Sequence, residues 1–479
     1  MTDRTRRELL ATAVAGGLLL TASPASAGRL LSGRAGVGLG RFRDGVASGE
    51  PSAGAITFWS RLRTDNPRSG ARLIVARDAD MRRTVAVRVV PTGRAIDHTL
   101  KVRVGGLKPS SEYYFVWQSG NDVSPIGRAR TLPHPSSREA VRLAFSSCQH
   151  YACGHFSPHA DAAAQDLDLC VFLGDYIYAE RRRPAPLDPR RDTAHANDLR
   201  SYRAKYRRYR SDPALRELHR LHPMVHIWDD HEVENNYTDN RPAPAALQRA
   251  AGYRAAFEWL PRASFPRERF RLYRRIALGR TADLFLLDER QYRAVDGAGR
   301  PIQLLGDTQR NWLIKSLRAS KARWKIIANQ VPIAPMDYGD GQRVDSWGGY
   351  DASRALLLAE IERAGIDDVV FFTGDAHVFM VNGIAGDPTQ RPAAIEYVCG
   401  SVTSPGADRP EADVQARNPW TRQYNGRDHG YALATFDDRQ LVTEYRRSDI
   451  TRPDGITAPF ERFTQPAGLN DTARDLPQN

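Results

Sequence analysis

From Asp168 to Glu180 the chain reads DLCVFLGDYIYAE. Leu169, Cys170, Val171, Phe172 and Leu173 form an unbroken apolar run, as expected of a strand buried on both faces in a helix-covered sheet. The run breaks on Gly174 and puts Asp175, Tyr176 and Tyr178 where the chain leaves the core. Ligands of layered α/β proteins bind beyond the carboxyl ends of strands. A carboxylate followed three residues later by a phenol at such an end therefore reads as part of a site.

The pattern recurs. From Val141 onward the apolar runs RLAFSSC, MVHIWDDH, ADLFLLDER, RWKIIANQV and DDVVFFTGDAH alternate with helix-like segments, which predicts an α/β layered core. Four of the strand ends deliver, in order, Cys148; Asp175 and Tyr178; Asp229, Asp230 and His231; and Asp375 with His377. Packing gives no reason to collect several acids at one edge, because their repulsion raises their pKa values and destabilises the fold. A multivalent cation removes that objection. Asp175 could bridge two metals, and Tyr178 could join as a phenolate, a hard donor that favours ferric iron. Cys148 offers a thiolate, which calcium and magnesium do not select; the mixed set points to iron, with zinc as the alternative. Oxygen donors at Asp230, Asp375 and Asn235 suit calcium or manganese.

The preceding region differs. From Phe42 to about Leu132, AITFWSRL, ARLIVARD, TVAVRVV and GRARTLP are short strands separated by turns, the pattern of a small antiparallel β-sandwich. GGLKPSSEYYFVW resembles a fibronectin type III strand, with Leu107 and Tyr113 as core anchors. Thr131–Ser137 reads as a hinge into the second domain. The expected organisation is a signal peptide at 1–27, a linker at 28–41, the β-sandwich at 42–132, the catalytic domain at 138–450 and a C-terminal tail at 451–479. The segment TRPDGITAPFERFTQPAGLND is expected to be a helical extension, mobile or covering the site.

A chain of 479 residues with 41% hydrophobic side chains can bury more than one core. The formal charge is +13, but only six of the 69 basic residues are lysine, an arginine bias that is weak evidence for nucleic acid. A basic protein attracts anions in general, phosphate esters included. Arg6–Arg7, the apolar stretch from Leu9 to about Ala22 and the small-residue end Ala25-Ser26-Ala27 predict a Tat export signal, an ordinary Sec signal being the alternative. The mature protein is then expected outside the cytoplasm, secreted or at the cell envelope, after engaging the Tat machinery. The four cysteines are too few for a disulfide framework. Cys170 reads as a core thiol; a Cys148–Cys153 bridge would withdraw Cys148 from any chemistry.

Taken together, GVASGEP, FSSCQ, LGDYIYAE, IWDDHEVENNY, LLDERQYR, WKIIANQVPI, DSWGGY and TGDAHVF resemble the PhoD-like alkaline phosphatases over about Phe42–Ser404. FSSCQ stands where ordinary dinuclear metallophosphatases carry Asp-x-His, and Glu50 stands where the early motif has Asp. The resemblance implies a four-layer α/β/β/α metallophosphatase-like catalytic domain preceded by a fibronectin III-like β-sandwich. It further implies Fe(3+) held by Cys148, Asp175 and Tyr178, and Ca(2+) ions, with Asp230, Asn235, Asp375 and His377 completing the cluster. His231 takes the place of the general acid. The implied activity is phosphomonoester and phosphodiester hydrolysis, a metal-bound hydroxide attacking phosphorus in line. The expected substrates are small phosphate esters, with phospholipids or nucleic-acid diesters as further candidates; no stable nucleic-acid or protein partner is implied.

Several readings stay open on sequence alone. A phospholipase D-type phosphodiesterase acting on phospholipids is a related alternative, and a non-catalytic phosphoester- or metal-binding surface protein is one of another class. Arg200–Pro223 could be a phosphate-facing rim or a solvated helix face. Arg290 and Arg293 could bind the substrate phosphate or form structural ion pairs. Trp347 and Tyr350 suit either packing or a lid, Glu232 and Glu234 either support of the site or solvated surface, and Tyr176 packing.

Overall fold

The computed structural model describes residues 41–181, 194–237, 245–263, 270–339, 345–386 and 391–475; the expected signal peptide and nearly all of the linker lie outside them. The apolar run that follows Asp168 is the strand Leu169–Phe172, buried throughout. It pairs in parallel with Val141–Ser146 on one side and Pro223–His226 on the other. These strands are the centre of a ten-stranded sheet. Beyond Val141–Ser146 it continues antiparallel through His429–Phe436, Gln440–Ser448, Thr457–Pro466 and Ala473–Asp475. Beyond Pro223–His226 it continues through Val46–Gly49, Ala55–Arg61 and Thr99–Gly105.

A seven-stranded sheet packs against the first. Its parallel core is Ala282–Leu286, Trp324–Asn329, Val369–Thr373 and Ala394–Cys399, all but fully buried along their length. The rings of Phe145 and Phe372 stack between the sheets with centroids 4.0 Å apart. Each of these rings lies three residues before a candidate ligand, Cys148 and Asp375, so the sheet-to-sheet contact also sets how the two loops meet. The helices Ser157–Ala164, Leu199–Tyr209, Pro213–Leu221 and Ala245–Trp259 pack with the larger sheet, and Gly306–Ala319 and Asp351–Arg363 with the smaller. The architecture is the expected α/β/β/α arrangement.

The N-terminal strands form a sandwich that is not detached from the rest. One of its layers is the edge of the ten-stranded sheet itself, because Val46–Gly49 pairs in parallel with Pro223–His226. The other is a separate sheet of Arg68–Ala76, Thr84–Gly93, Glu112–Ser119, Asp122–Val123 and Gly127–Arg130. Phe58 packs on Phe115 between the layers, and the buried Tyr113 hydroxyl accepts from Lys108 N at 2.8 Å. Glu50, the residue that departs from the family motif, is buried and paired with the equally buried Arg274. The basic run Arg200–Pro223 forms two helices, and several of its basic side chains face this joint. Arg203 pairs with Glu258, Arg207 with Asp97, and Arg210 donates to the Asp44 carbonyl at 3.1 Å, while Tyr202, Tyr206 and Tyr209 are buried.

The expected helical tail is corrected by the structure. Thr457–Pro466 is a strand paired with Gln440–Ser448, and Ala473–Asp475 extends the same sheet. Glu461, Phe463 and Gln465 are buried at every second position, a two-residue period that Pro459 and Pro466 obscure in the sequence.

Below the central strands lie buried histidines. The Tyr176 hydroxyl bonds His219 Nε2 at 2.8 Å, and the His219 and His226 rings stack 5.6 Å apart. Burial lowers His159 to about 3 and His222 to about 4, and drives His219 and His226 well below the usual range, Arg210 adding to the effect at both. These groups stay neutral in the folded state at a pH where the unfolded chain protonates them. Stability is therefore complete above the unfolded pKa near 6.5 and falls as pH drops below it, by up to about 1.4 kcal/mol per pH unit for each histidine. His159→Gln is expected to lessen the fall in urea midpoint between pH 7 and pH 5 relative to the wild type, and an unchanged pH dependence would contradict neutral burial.

Candidate metal centre

Every candidate ligand follows the carboxyl end of a parallel strand: Cys148 after Val141–Ser146, Asp175 after Leu169–Phe172, Asp229 and Asp230 after Pro223–His226, and Asp375 after Val369–Thr373. At these ends the backbone turns sharply. Cys148, Asp175, Asp375 and His377 have φ of 60°, 59°, 56° and 58°, and Asn236 has 52°. Non-glycine residues enter this left-handed region at an energetic cost, and such strain concentrates at functional sites. Gly174 has φ 113°, and a Cβ there would lie 2.5 Å from that of Asp229. The glycine lets two ligand-bearing loops touch.

Hydrogen bonds hold the turns. Cys148 N donates to the Gly174 carbonyl at 3.1 Å and Gln149 N to that of Asp175 at 3.2 Å. Glu232 is buried and accepts from the backbone N–H groups of Asp175, Tyr176 and Asp229 at 3.1, 2.6 and 3.0 Å. Its role is thus support of the site. No disulfide joins Cys148 to Cys153, so no bridge withdraws Cys148.

Three groups of potential ligand atoms result, each with its atoms within 4.8 Å of one another: Cys148, Asp175 and His377; Asp175, Asp230 and His231; and Asp229, Asp230 and Asp375. Asp175 belongs to the first two and Asp230 to the last two, so shared carboxylates link the groups into one cluster. The Tyr178 hydroxyl donates to Asp175 Oδ2 at 3.0 Å, accepts from Ser404 Oγ at 2.6 Å and lies 3.2 Å from His377 Nε2. Burial drives Cys148 and Tyr178 well above their usual pKa, and Asp175 adds to this at both. Burial likewise raises Asp175 and Asp229. Burial thus disfavours the ionised, ligating forms of these groups, a cost that a bound cation would offset. The donors fit metals: a thiolate, an imidazole and a phenol at one end, hard oxygens at the other.

His231 lies at the junction. Its Nδ1 is 2.8 Å from Glu180 Oε2, and its ring stacks on Tyr178 with centroids 4.2 Å apart. Burial alone would lower its pKa, but Asp230, Asp175 and Glu180 outweigh burial and raise it well above the usual value.

The expectation for Asn235 is corrected. Asn235 is exposed and gives the cluster only its backbone N–H, which Glu180 accepts. Asn236 faces the carboxylates instead: its N donates to Asp230 Oδ2 at 2.7 Å, and its side-chain amide lies 3.2 Å from Asp345 Oδ2 and 3.0 Å from Asp230 Oδ2. With its nitrogen toward them the amide donates two hydrogen bonds; with its oxygen toward them it completes an oxygen cage that a cation would satisfy. Arg290 and Arg293 are both buried and held by acids. Arg290 is fully buried, paired with Asp229 and with Asp345 at 2.9 Å, and its Nη2 is 3.7 and 3.8 Å from Asp230 and Asp375. Arg293 is spent on Asp345.

The sequence reading also missed Glu180, Asn236, Asp345 and Ser404. Glu180 ends the stretch Asp168–Glu180, yet only the return of the His231 loop reveals its role. Trp347 belongs to the core, its indole N–H shared by Glu289 and Asn329 at 2.6 and 2.9 Å, and Tyr350 is buried too.

Comparison with known proteins agrees with this fold. Residues 143–445 match the family described as PhoD-like phosphatase, and residues 30–133 match its N-terminal domain. Alkaline phosphatase D of Bacillus subtilis (strain 168) is 32% identical over 450 residues, covering 85% of this chain and 77% of that protein. A solved structure of PhoD superposes with a TM-score of 0.86 at 28% identity, covering 93% of this chain and 94% of that one. The purple acid phosphatase PPD1 from yellow lupin (Lupinus luteus) seeds shares the fold, with a TM-score of 0.60 at 14% identity over 88% of this chain and 73% of that one. The chain belongs to the PhoD-like phosphatase family and is a metal-dependent phosphoester hydrolase.

Proposed function

We propose that this chain is an exported phosphomonoesterase and phosphodiesterase that works with iron and calcium. The observation that carries the proposal is the linked cluster, in which one end offers Cys148, His377 and Asp175 and the other Asp229, Asp230 and Asp375. In this reading Cys148, Asp175 and Tyr178 hold ferric iron, with His377 beside them. Asp230, Asp375 and Asn236 suit calcium. Zinc or manganese is the alternative occupant. When bound, the cations supply Lewis acidity to the phosphoryl oxygens and lower the pKa of attacking water.

The remaining roles fall to side chains. Glu180 ties His231 Nδ1, which leaves Nε2 to protonate the leaving oxygen, and the surrounding carboxylates favour the protonated ring. Glu232 fixes the turns that carry Asp175 and Asp229. Export through the Tat pathway rests on Arg6–Arg7 and the apolar stretch after them, and suits a protein that folds around metal before leaving the cytoplasm. A small soluble phosphate ester is the substrate of this reading. A phospholipid gains no support, since the large apolar side chains exposed among the described residues, such as Val89, Leu247, Ile302 and Ile456, do not line the cleft at the cluster.

Elemental analysis of purified protein is expected to find iron together with calcium, and a visible band from the phenolate is expected to vanish in Tyr178→Phe. Zinc or manganese without colour would remove the iron assignment, and an active protein without metal would overturn the mechanism. His231→Ala should slow alkyl-ester hydrolysis by about 10²–10⁴-fold and aryl-ester hydrolysis less, because only the poor leaving group needs a proton. Equal losses on both esters would argue against the acid role. Glu232→Ala should weaken metal binding by about 10–100-fold, measured by competition with a chelator.

A further inference from the structure

Beside the cluster, a cleft of about 370 Å³ opens past Asp375 and His377. That volume lies within the range of pockets for small organic ligands, about 300–1,000 Å³, and exceeds what a phosphoryl group fills. Its lining divides by chemistry. Asn236, Asp345, Asp375 and His377 belong to the polar side of the cluster. Met336, Tyr338 and Tyr424 supply an apolar and aromatic side, and Arg409 is its only side-chain cation among the described residues.

The aromatic side is built rather than incidental. Tyr424 is buried and anchored by its hydroxyl, which donates to the Ala407 carbonyl at 2.6 Å. Tyr338 stands 6.3 Å from it, ring centroid to ring centroid, and remains partly exposed. The Arg409 guanidinium carbon lies 5.2 Å from the centre of the Tyr338 ring, and Arg409 Nη1 donates to the Tyr338 carbonyl at 3.2 Å. Arg409 thus holds the ring by a cation–π contact and its own backbone by a hydrogen bond. A ring fixed in this way offers a planar surface to a planar group.

We propose that Met336, Tyr338 and Tyr424, with Arg409 as a positioning residue, form a subsite for the organic group of the phosphoester, and that this subsite selects groups carrying a planar heterocyclic ring. The proposal rests on the phosphoester hydrolase reading and goes beyond it by naming the residues that choose among esters. Stacking of a base on an aromatic side chain contributes about 1–3 kcal/mol and tolerates different rings, since each has a π face.

The test compares adenosine 5′-phosphate with glycerol 3-phosphate, whose leaving groups are both primary alkoxides, so that intrinsic reactivity is matched. The readout is the ratio of their kcat/KM values on the metal-loaded full chain. The wild type should favour the nucleotide by about ten-fold or more, Tyr338→Ala should bring the ratio close to one, and Tyr338→Phe should retain it. Arg409→Ala should reduce the ratio as well, because the ring loses its support. A wild-type ratio near one, or an unchanged ratio in Tyr338→Ala, would overturn the subsite while leaving the hydrolase reading intact. Failure of the metal-loaded wild type to turn over either ester would overturn both.

Discussion

One buried guanidinium, that of Arg290, holds together what would otherwise repel. It pairs with Asp229 and Asp345 and approaches Asp230 and Asp375 within 3.7 and 3.8 Å. These carboxylates come from loops on both sheets, so the ion pairs also join the two layers at the edge where the site opens. Even with Arg293 sharing Asp345, two guanidiniums face four carboxylates, a deficit that burial makes expensive. Asp175, close to Asp230, deepens it. The cluster is therefore satisfied only by further positive charge, and multivalent metal ions supply that at the positions where the ligand atoms converge.

The left-handed turn at Asp175 is held by a buried carboxylate that caps the chain around it, and the one at Cys148 by a backbone hydrogen bond to Gly174. Glu232 accepts from three backbone N–H groups, and Glu289 does the same for Gln330 and Val331 at 3.1 and 2.9 Å. Glu396 holds Ile333 N at 2.8 Å and Thr373 Oγ1 at 2.8 Å on the other sheet. Acids therefore do two kinds of work here. Some face the cluster, and others sit behind it and fix the turns that present the first kind.

The N-terminal sandwich is bound to this scaffold through a shared sheet as well as through side chains. Val46–Gly49 continues the hydrogen bonding of Pro223–His226, the strand that leads to Asp229, and Glu50 closes on Arg274 from the other sheet. The arginine-rich helix Leu199–Tyr209 adds Arg203 to the Ala95 carbonyl at 2.8 Å and Arg207–Asp97 across the same joint.

The sequence by itself determined the α/β class, the order of the buried strands and the strand-end positions of Cys148, Asp175, Tyr178, Asp230, His231, Asp375 and His377. These were legible because unbroken apolar runs have one physical reading, and because acids gathered at their ends have no packing explanation. What depends on chain return was not legible. Asn235 and Asn236 are adjacent in sequence, and only the turn after Asp230 decides that Asn236 faces the carboxylates. Arg290 could have met either a phosphate or an acid, and the meeting of two sheets gave it acids. Glu180 found His231 across 51 residues, and the final strands found a sheet edge that no local pattern announces. Local sequence specifies which groups reach an edge of the core; the pairing of edges, a long-range choice made by hydrogen bonding and sheet packing, specifies which groups then face one another.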